Sequence, residues 1–150
     1  MDTNFSQNKP EEDDFGEAIP LFKQAFRLEH GDGVTKDESQ AVNLYQQAVA
    51  IGHKESMNNL ALCYLEGRGV EQDGPKAIQL LKQAADLGNI NAIYNLVTCY
   101  HDGIGVKKDY SEASLLLKSW EKKGLLGGYS RRIYPEKGIM LFCCLLQTIC

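Results

Sequence analysis

The chain has 150 residues, of which 43% are apolar and 24% charged, and a formal net charge of -4. That length supports one buried core and the composition is that of an ordinary globular protein. The acidic balance lacks the basic face that nucleic-acid binding requires, so nucleic acid is excluded as the expected partner.

In chain order, residues 1–14 come first, polar and ending in the acidic run Glu11–Asp14. They are expected to form a solvated, disordered tail. The segment has neither the positive start nor the apolar stretch of a signal peptide, so a cytoplasmic location is expected. From residue 15 to 124 the pattern is one of paired helices joined by glycine corners. Gly31/Gly33, Gly67/Gly69 and Gly103/Gly105 recur at intervals of 36 residues. Val34, Val70 and Val106 keep the same register, followed by Asp37, Asp73 and Asp109, then Ala41, Ala77 and Ala113. Gly52, Gly88 and Gly124 close each unit. A period of this kind marks a repeat architecture, in which each unit is one supersecondary element.

Each unit reads as two amphipathic helices. The second helices carry apolar stripes at helical spacing: Ala41, Leu44, Tyr45, Ala48 and Val49, then Ala77, Leu80, Leu81, Ala84 and Ala85. The third copy keeps Ala113, Leu116, Leu117 and Trp120. The preceding helices do the same with Met57, Leu60, Ala61, Tyr64 and Leu65, and with Ile93, Leu96, Val97 and Tyr100. One stripe per helix is the mark of a helix packed on one side. Asp37, Asp73 and Asp109 are placed to cap the second helices, and Pro75 is tolerated in a first turn. The closing glycines stand where a left-handed residue ends a helix. The Gly-x-Gly-Val corners allow a tight reversal, with the valine packing back between the two helices.

These residues carry a resemblance. The segments Glu55–Gly88 and Asn91–Gly124 resemble the Sel-1-like repeat, a relative of the tetratricopeptide repeat. The first copy is degenerate, with Pro20 where Ala92 lies and Gln24 where Leu96 lies. The resemblance implies an all-α fold: a right-handed α/α solenoid of antiparallel helix pairs, a tetratricopeptide-like superhelix of about three repeats. It also implies an adaptor or scaffold that binds another protein or an extended peptide in its concave groove. The alternative it leaves is a regulatory, activating subunit of a membrane-associated enzyme or degradation complex.

Sharper chemical readings fare worse. A phosphate cradle needs a strand before its glycines and a helix N-terminus after them, whereas here a helix precedes. The three histidines, His30, His53 and His101, show no ligand or catalytic spacing and read as surface residues. Cys63 and Cys99 occupy one equivalent helical position, which suits buried thiols packing in layers. No catalytic residue, metal ligand or cofactor is expected.

Asn59 and Asn95 are the stronger candidates, at one position of adjacent first helices. An amide both donates and accepts, so a ladder of amides suits capture of a peptide backbone. The same side chains could instead bond the neighbouring helix and fix repeat stacking, and both roles stand open at this stage. Asn58, Tyr94 and Thr98 are expected to share that surface.

After Gly124 the register collapses, with Pro135 inside the next expected helix and an apolar end, Gly138–Cys150. Residues 125–150 are therefore expected to be a non-repeat tail. Its apolar run falls short of the roughly 20 residues of a membrane-spanning helix, but it offers a route to membrane contact. An exposed Leu116/Trp120 edge on the last helix would favour self-association.

Overall fold

The computed structural model describes residues 14–124, with side chains from residue 16 onward. The tail expectations for residues 1–13 and 125–150 lie outside the described residues. Six helices follow one another: α1 (Asp14–His30), α2 (Glu38–Ala50), α3 (Lys54–Glu66), α4 (Gly74–Asp86), α5 (Ile90–Asp102) and α6 (Tyr110–Lys122). No strand occurs among the described residues. α1 pairs with α2, α3 with α4 and α5 with α6, while α2 packs on α3 and α4 on α5. The fold is the expected right-handed α/α solenoid. Asp14, expected in the tail, is the first residue of α1. That helix starts four residues before the position equivalent to Lys54, which places Pro20 inside it.

Each corner is the same hydrogen-bonded object. The N–H of Arg68 donates to Cys63 O at 3.0 Å and that of Asp73 to Tyr64 O at 3.0 Å. Asp32 to Arg27 O with Asp37 to Leu28 O, and Ile104 to Cys99 O with Asp109 to Tyr100 O, repeat the pattern on either side. The aspartate that closes the corner also opens the next helix. Asp37, Asp73 and Asp109 accept from the N–H groups of Gln40, Lys76 and Glu112 at 2.9–3.0 Å. Val34, Val70 and Val106 are half-buried against the core. One turn thus satisfies orphan carbonyls of one helix and an orphan N–H of its partner.

The first helices of the second and third repeats have caps that the sequence pattern did not reveal. Asn89 Oδ1 accepts the Ala92 N–H at 2.9 Å. His53, expected at the surface, is only 7% exposed and caps α3 through Nδ1, which accepts the Ser56 N–H at 3.2 Å. It is buried because the turn after Gly52 packs its ring against Phe22 of α1, with centroids 5.2 Å apart.

The core is one continuous cluster from Ala25 to Trp120. Ala41, Ala77 and Ala113 are fully buried at one register position, where a larger side chain would hold the helices apart. Trp120 is 3% exposed and belongs to this cluster, so the expected bare Leu116/Trp120 edge is not what the structure presents. The exposed apolar residues of α6 are Tyr110 and Leu115 instead.

The second glycine of each corner has a role beyond the turn. A Cβ on Gly69 would lie 2.3 Å from the carbonyl of Glu38, the first residue of α2 in the preceding repeat. Gly105 meets Gly74, the first residue of α4, in the same way: a Cβ there would stand 3.0 Å from Gly74 Cα and 2.6 Å from Leu65 Cδ2. At Gly33 only the flexible end of Arg27 comes near, at 3.2 Å. All three have positive φ near 68°, so alanine costs each about 1–2 kcal/mol in backbone conformation. We therefore expect Gly33→Ala to lose about that much in urea denaturation. Gly69→Ala and Gly105→Ala should lose about 3 kcal/mol or more, since the repeats must also move apart. Equal losses at all three would show that the close approach contributes nothing.

Candidate functional site

The 36-residue register aligns the faces of α1, α3 and α5. Phe22, Asn58 and Tyr94 occupy one row, Phe26, Leu62 and Thr98 the next, and Lys23, Asn59 and Asn95 a third. Phe22, Leu62, Tyr94 and Thr98 are half-buried, and Phe26 is 43% exposed and stacked on His30 with centroids 4.1 Å apart. Phe22, Phe26 and Leu62 were not singled out from the sequence, although the repeat register that yielded Tyr94 and Thr98 points to them. The asparagines were found because they recur, whereas these residues differ from copy to copy.

Beneath this face a hydrogen-bond chain crosses both joints. Asn95 Nδ2 donates to Asn58 Oδ1 at 2.8 Å, and Asn58 Nδ2 to Asn59 Oδ1 at 3.2 Å. Asn59 Nδ2 donates to the Tyr45 hydroxyl at 3.1 Å, and Tyr45 donates to Glu29 Oε2 at 2.6 Å. Asn58, expected on the groove surface, is 6% exposed because its amide bridges Asn59 and Asn95. Asn59 and Asn95 remain half-buried, with their NH₂ groups directed into the scaffold.

The chain ends at a buried charge. Glu29 has a side chain 5% exposed and receives the Arg68 guanidinium from the corner of the next repeat. Arg68 Nε also lies 2.6 Å from Glu66 Oε2, an ionic contact rather than an aligned hydrogen bond. Burial works against the Arg68 charge, but the Glu29 and Glu66 carboxylates outweigh it and raise its pKa. Burial, then the bond to Glu29, pushes the Tyr45 hydroxyl well above its ordinary range. Burial and the Glu29 carboxylate push the Cys63 thiol up to about 12, and burial takes Cys99 to about 11. Both thiols stay protonated at neutral pH and are poor nucleophiles.

Two clefts open at the N-terminal ends of α3 and α5. One, of about 330 Å³, lies among Ile19, Gly52, His53, Lys54, Glu55 and Leu87. The other, of about 480 Å³, holds Tyr94 together with Asn89, Ile90 and Asn91, and shares Lys54 and Glu55 with the first. Among the described residues, no helix is long and apolar enough to cross a membrane. No group of three or more His, Cys, Asp or Glu side chains there could hold a metal ion.

Compared with known families, residues 15–53, 54–89 and 90–124 each match the Sel1 repeat. The chain belongs to the Sel1 repeat family. Such repeats generally mediate protein–protein interactions. Similar solved structures include c5321, a protective antigen of uropathogenic Escherichia coli with an SLR fold, at 28% identity and a TM-score of 0.65. A Sel1 repeat protein from Oxalobacter formigenes is 27% identical with a TM-score of 0.64. The matches cover 75% and 78% of this chain, but only 24% and 47% of those proteins. A comparison with curated proteins found no match.

The two joints of this Sel1 array differ in chemistry at equivalent positions. Glu29, Tyr45 and Arg68 in the first correspond to Leu65, Leu81 and Ile104 in the second. Removing one partner of a fully buried pair costs about 3–5 kcal/mol, whereas replacing the whole set with apolar groups is often neutral. Arg68 is 29% exposed, so Arg68→Ile alone should cost somewhat less, about 2–3 kcal/mol. The triple change Glu29→Leu, Tyr45→Leu, Arg68→Ile, which copies the second joint, should recover most of it in thermal unfolding. A triple variant no more stable than the single would mean that the first joint needs its charges.

Proposed function

We propose that this protein is a non-enzymatic adaptor that holds a partner protein or extended peptide on the aligned faces of α1, α3 and α5. The observation that carries this reading comes from comparing the three copies. The positions that set helix spacing and cap the second helices stay fixed, as with Ala41, Ala77 and Ala113, or Asp37, Asp73 and Asp109. The partly exposed first-helix positions vary: Phe, Leu and Thr at 26, 62 and 98, and Phe and Tyr at 22 and 94 on either side of the buried Asn58. Packing holds the first set constant, while the second is free to take side chains that suit a ligand.

The surface has the composition a peptide site needs. Phe26, Leu62 and Tyr94 offer apolar contact, and Thr98 with the Asn95 amide offers hydrogen bonds to a backbone. The Asn95 Oδ1 carbonyl has no hydrogen-bond partner among the described residues and can accept a peptide N–H.

The test is selection from a random peptide library against the full chain, followed by chemical-shift mapping of a selected peptide. Shifts should cluster on Phe26, Leu62, Tyr94, Asn95 and Thr98. Phe26→Ala with Tyr94→Ala should weaken that peptide at least 10-fold while changing stability by under about 1 kcal/mol, as partly exposed positions allow. Shifts confined to α2, α4 and α6 would overturn the reading.

A further inference from the structure

The two joints between repeats share a geometry, and besides the buried charge of the first they differ in a capping atom. After each closing glycine the backbone N–H of the next residue returns to the preceding helix, His53 to Ala48 O at 3.1 Å and Asn89 to Ala84 O at 2.9 Å. That residue's side chain then caps the following first helix. Asn89 does so with an amide oxygen, which does not titrate. His53 does so with Nδ1, which accepts the Ser56 N–H at 3.2 Å and lies 2.8 Å from Ser56 Oγ. An imidazole nitrogen accepts only while it carries no proton. The proton of the neutral ring therefore sits on Nε2, 3.3 Å from Glu55 Oε2.

A second proton on Nδ1 would convert the acceptor into a donor facing the Ser56 N–H. It would also place a cation at the positive end of the α3 dipole, where cations are disfavoured. The ring is held on one side by an aromatic contact and borders the cleft of about 330 Å³ on the other. Phe22 of α1 lies against it, and Ile19, Gly52 and Leu87 complete the cleft around it. The charged groups lining that cleft are Lys54 and Glu55, both from α3; the lining residues from α1, the turn after α2 and the end of α4 carry no charge. Glu55 approaches Nε2 and not Nδ1, so it attracts a charged ring without restoring the cap.

We propose that His53 makes the first joint acid-sensitive: protonation uncaps α3 and loosens the contact of the turn before it with Phe22 of α1, while the Asn89 joint holds. The sign follows from the proton balance. Burial is the largest influence on His53 and lowers its pKa, with Lys54 lowering it further and Glu55 opposing. An opened joint exposes the ring at about its ordinary pKa of 6.5. Below that value the opened state binds a proton that the closed state refuses, so protection falls as pH drops from about 7 and levels off below the closed-state pKa.

Amide hydrogen exchange on the full chain tests this without any partner, so its outcome is separate from the adaptor reading. Protection factors, corrected for intrinsic rates, would be compared at pH 7.5 and 5.5. We expect residues 56–58 to lose protection several-fold at the lower pH, and residues 92–94 to keep theirs. His53→Asn, which installs the cap of the second joint, should abolish the difference. The same loss in His53→Asn would overturn the proposal. So would a ring titration of the unaltered protein, followed by NMR, that places His53 at or above about 6.5 in the folded state, a result that does not depend on the variant folding.

Discussion

Backbone-to-backbone contact between repeats sets the shape of this molecule. Gly69 sits on the first residue of α2, and Gly105 on the first residue of α4, at distances that leave no room for a Cβ. The corner is locked from within by two backbone hydrogen bonds and an aspartate cap, so it transmits that contact rigidly. Fixing the corner against the preceding helix start fixes where the next pair stands. The stripes of the second helices then meet the first helices that follow, and the fully buried alanines allow the close axes this demands. Apolar burial supplies most of the energy in such an array, but it is non-directional. The glycine contact selects one arrangement among the many that would bury the same stripes.

Two joints with one geometry carry different chemistry. The second buries Leu65 and Leu81 at the equivalent positions and leaves Ile104 exposed at its corner, whereas the first buries Glu29 under Tyr45, Cys63 and Arg68. A buried pair is a weak contributor to net stability, because desolvating two ions offsets most of their attraction. What it adds is a penalty for any arrangement that leaves Glu29 unpaired. Arg68 reaches Glu29 only when the second corner is seated on the first repeat, so the pair reads out correct stacking. The amide chain from Tyr45 through Asn59 and Asn58 to Asn95 extends the same requirement to the third repeat.

The fold was legible in the sequence because its constraints are local and occur three times. Glycine pairs, capping aspartates and helical stripes each show within one 36-residue window, and recurrence separates them from accident. The candidate site was legible only in part. Tyr94 and Thr98 followed from position, but the inward turn of Asn58 depends on Asn95, 37 residues away. The burial of His53 depends on Phe22 in another repeat. Such pairings leave no periodic trace, because they form between copies rather than within one. The second glycine illustrates the same limit: its turn conformation is readable locally, and its contact with the preceding helix start is not.

The division between fixed and variable positions bears on how such a scaffold can serve as an adaptor. A ligand spanning α1, α3 and α5 must match three side-chain rows whose spacing is set by the two joints. Rigid joints reduce the ordering a ligand must impose on binding, which favours affinity. They also mean that a change in either joint displaces one row relative to the others. The first joint carries the buried charge and the histidine cap, and it positions the aromatic row of α1 against the mixed row of α3. The second joint buries no charge and has an amide cap, and the Asn95–Asn58 hydrogen bond helps it hold α3 and α5 together. The chain is thus built with one joint responsive to its chemical surroundings and one that is not, so α1 is the part of the face whose alignment the environment can adjust.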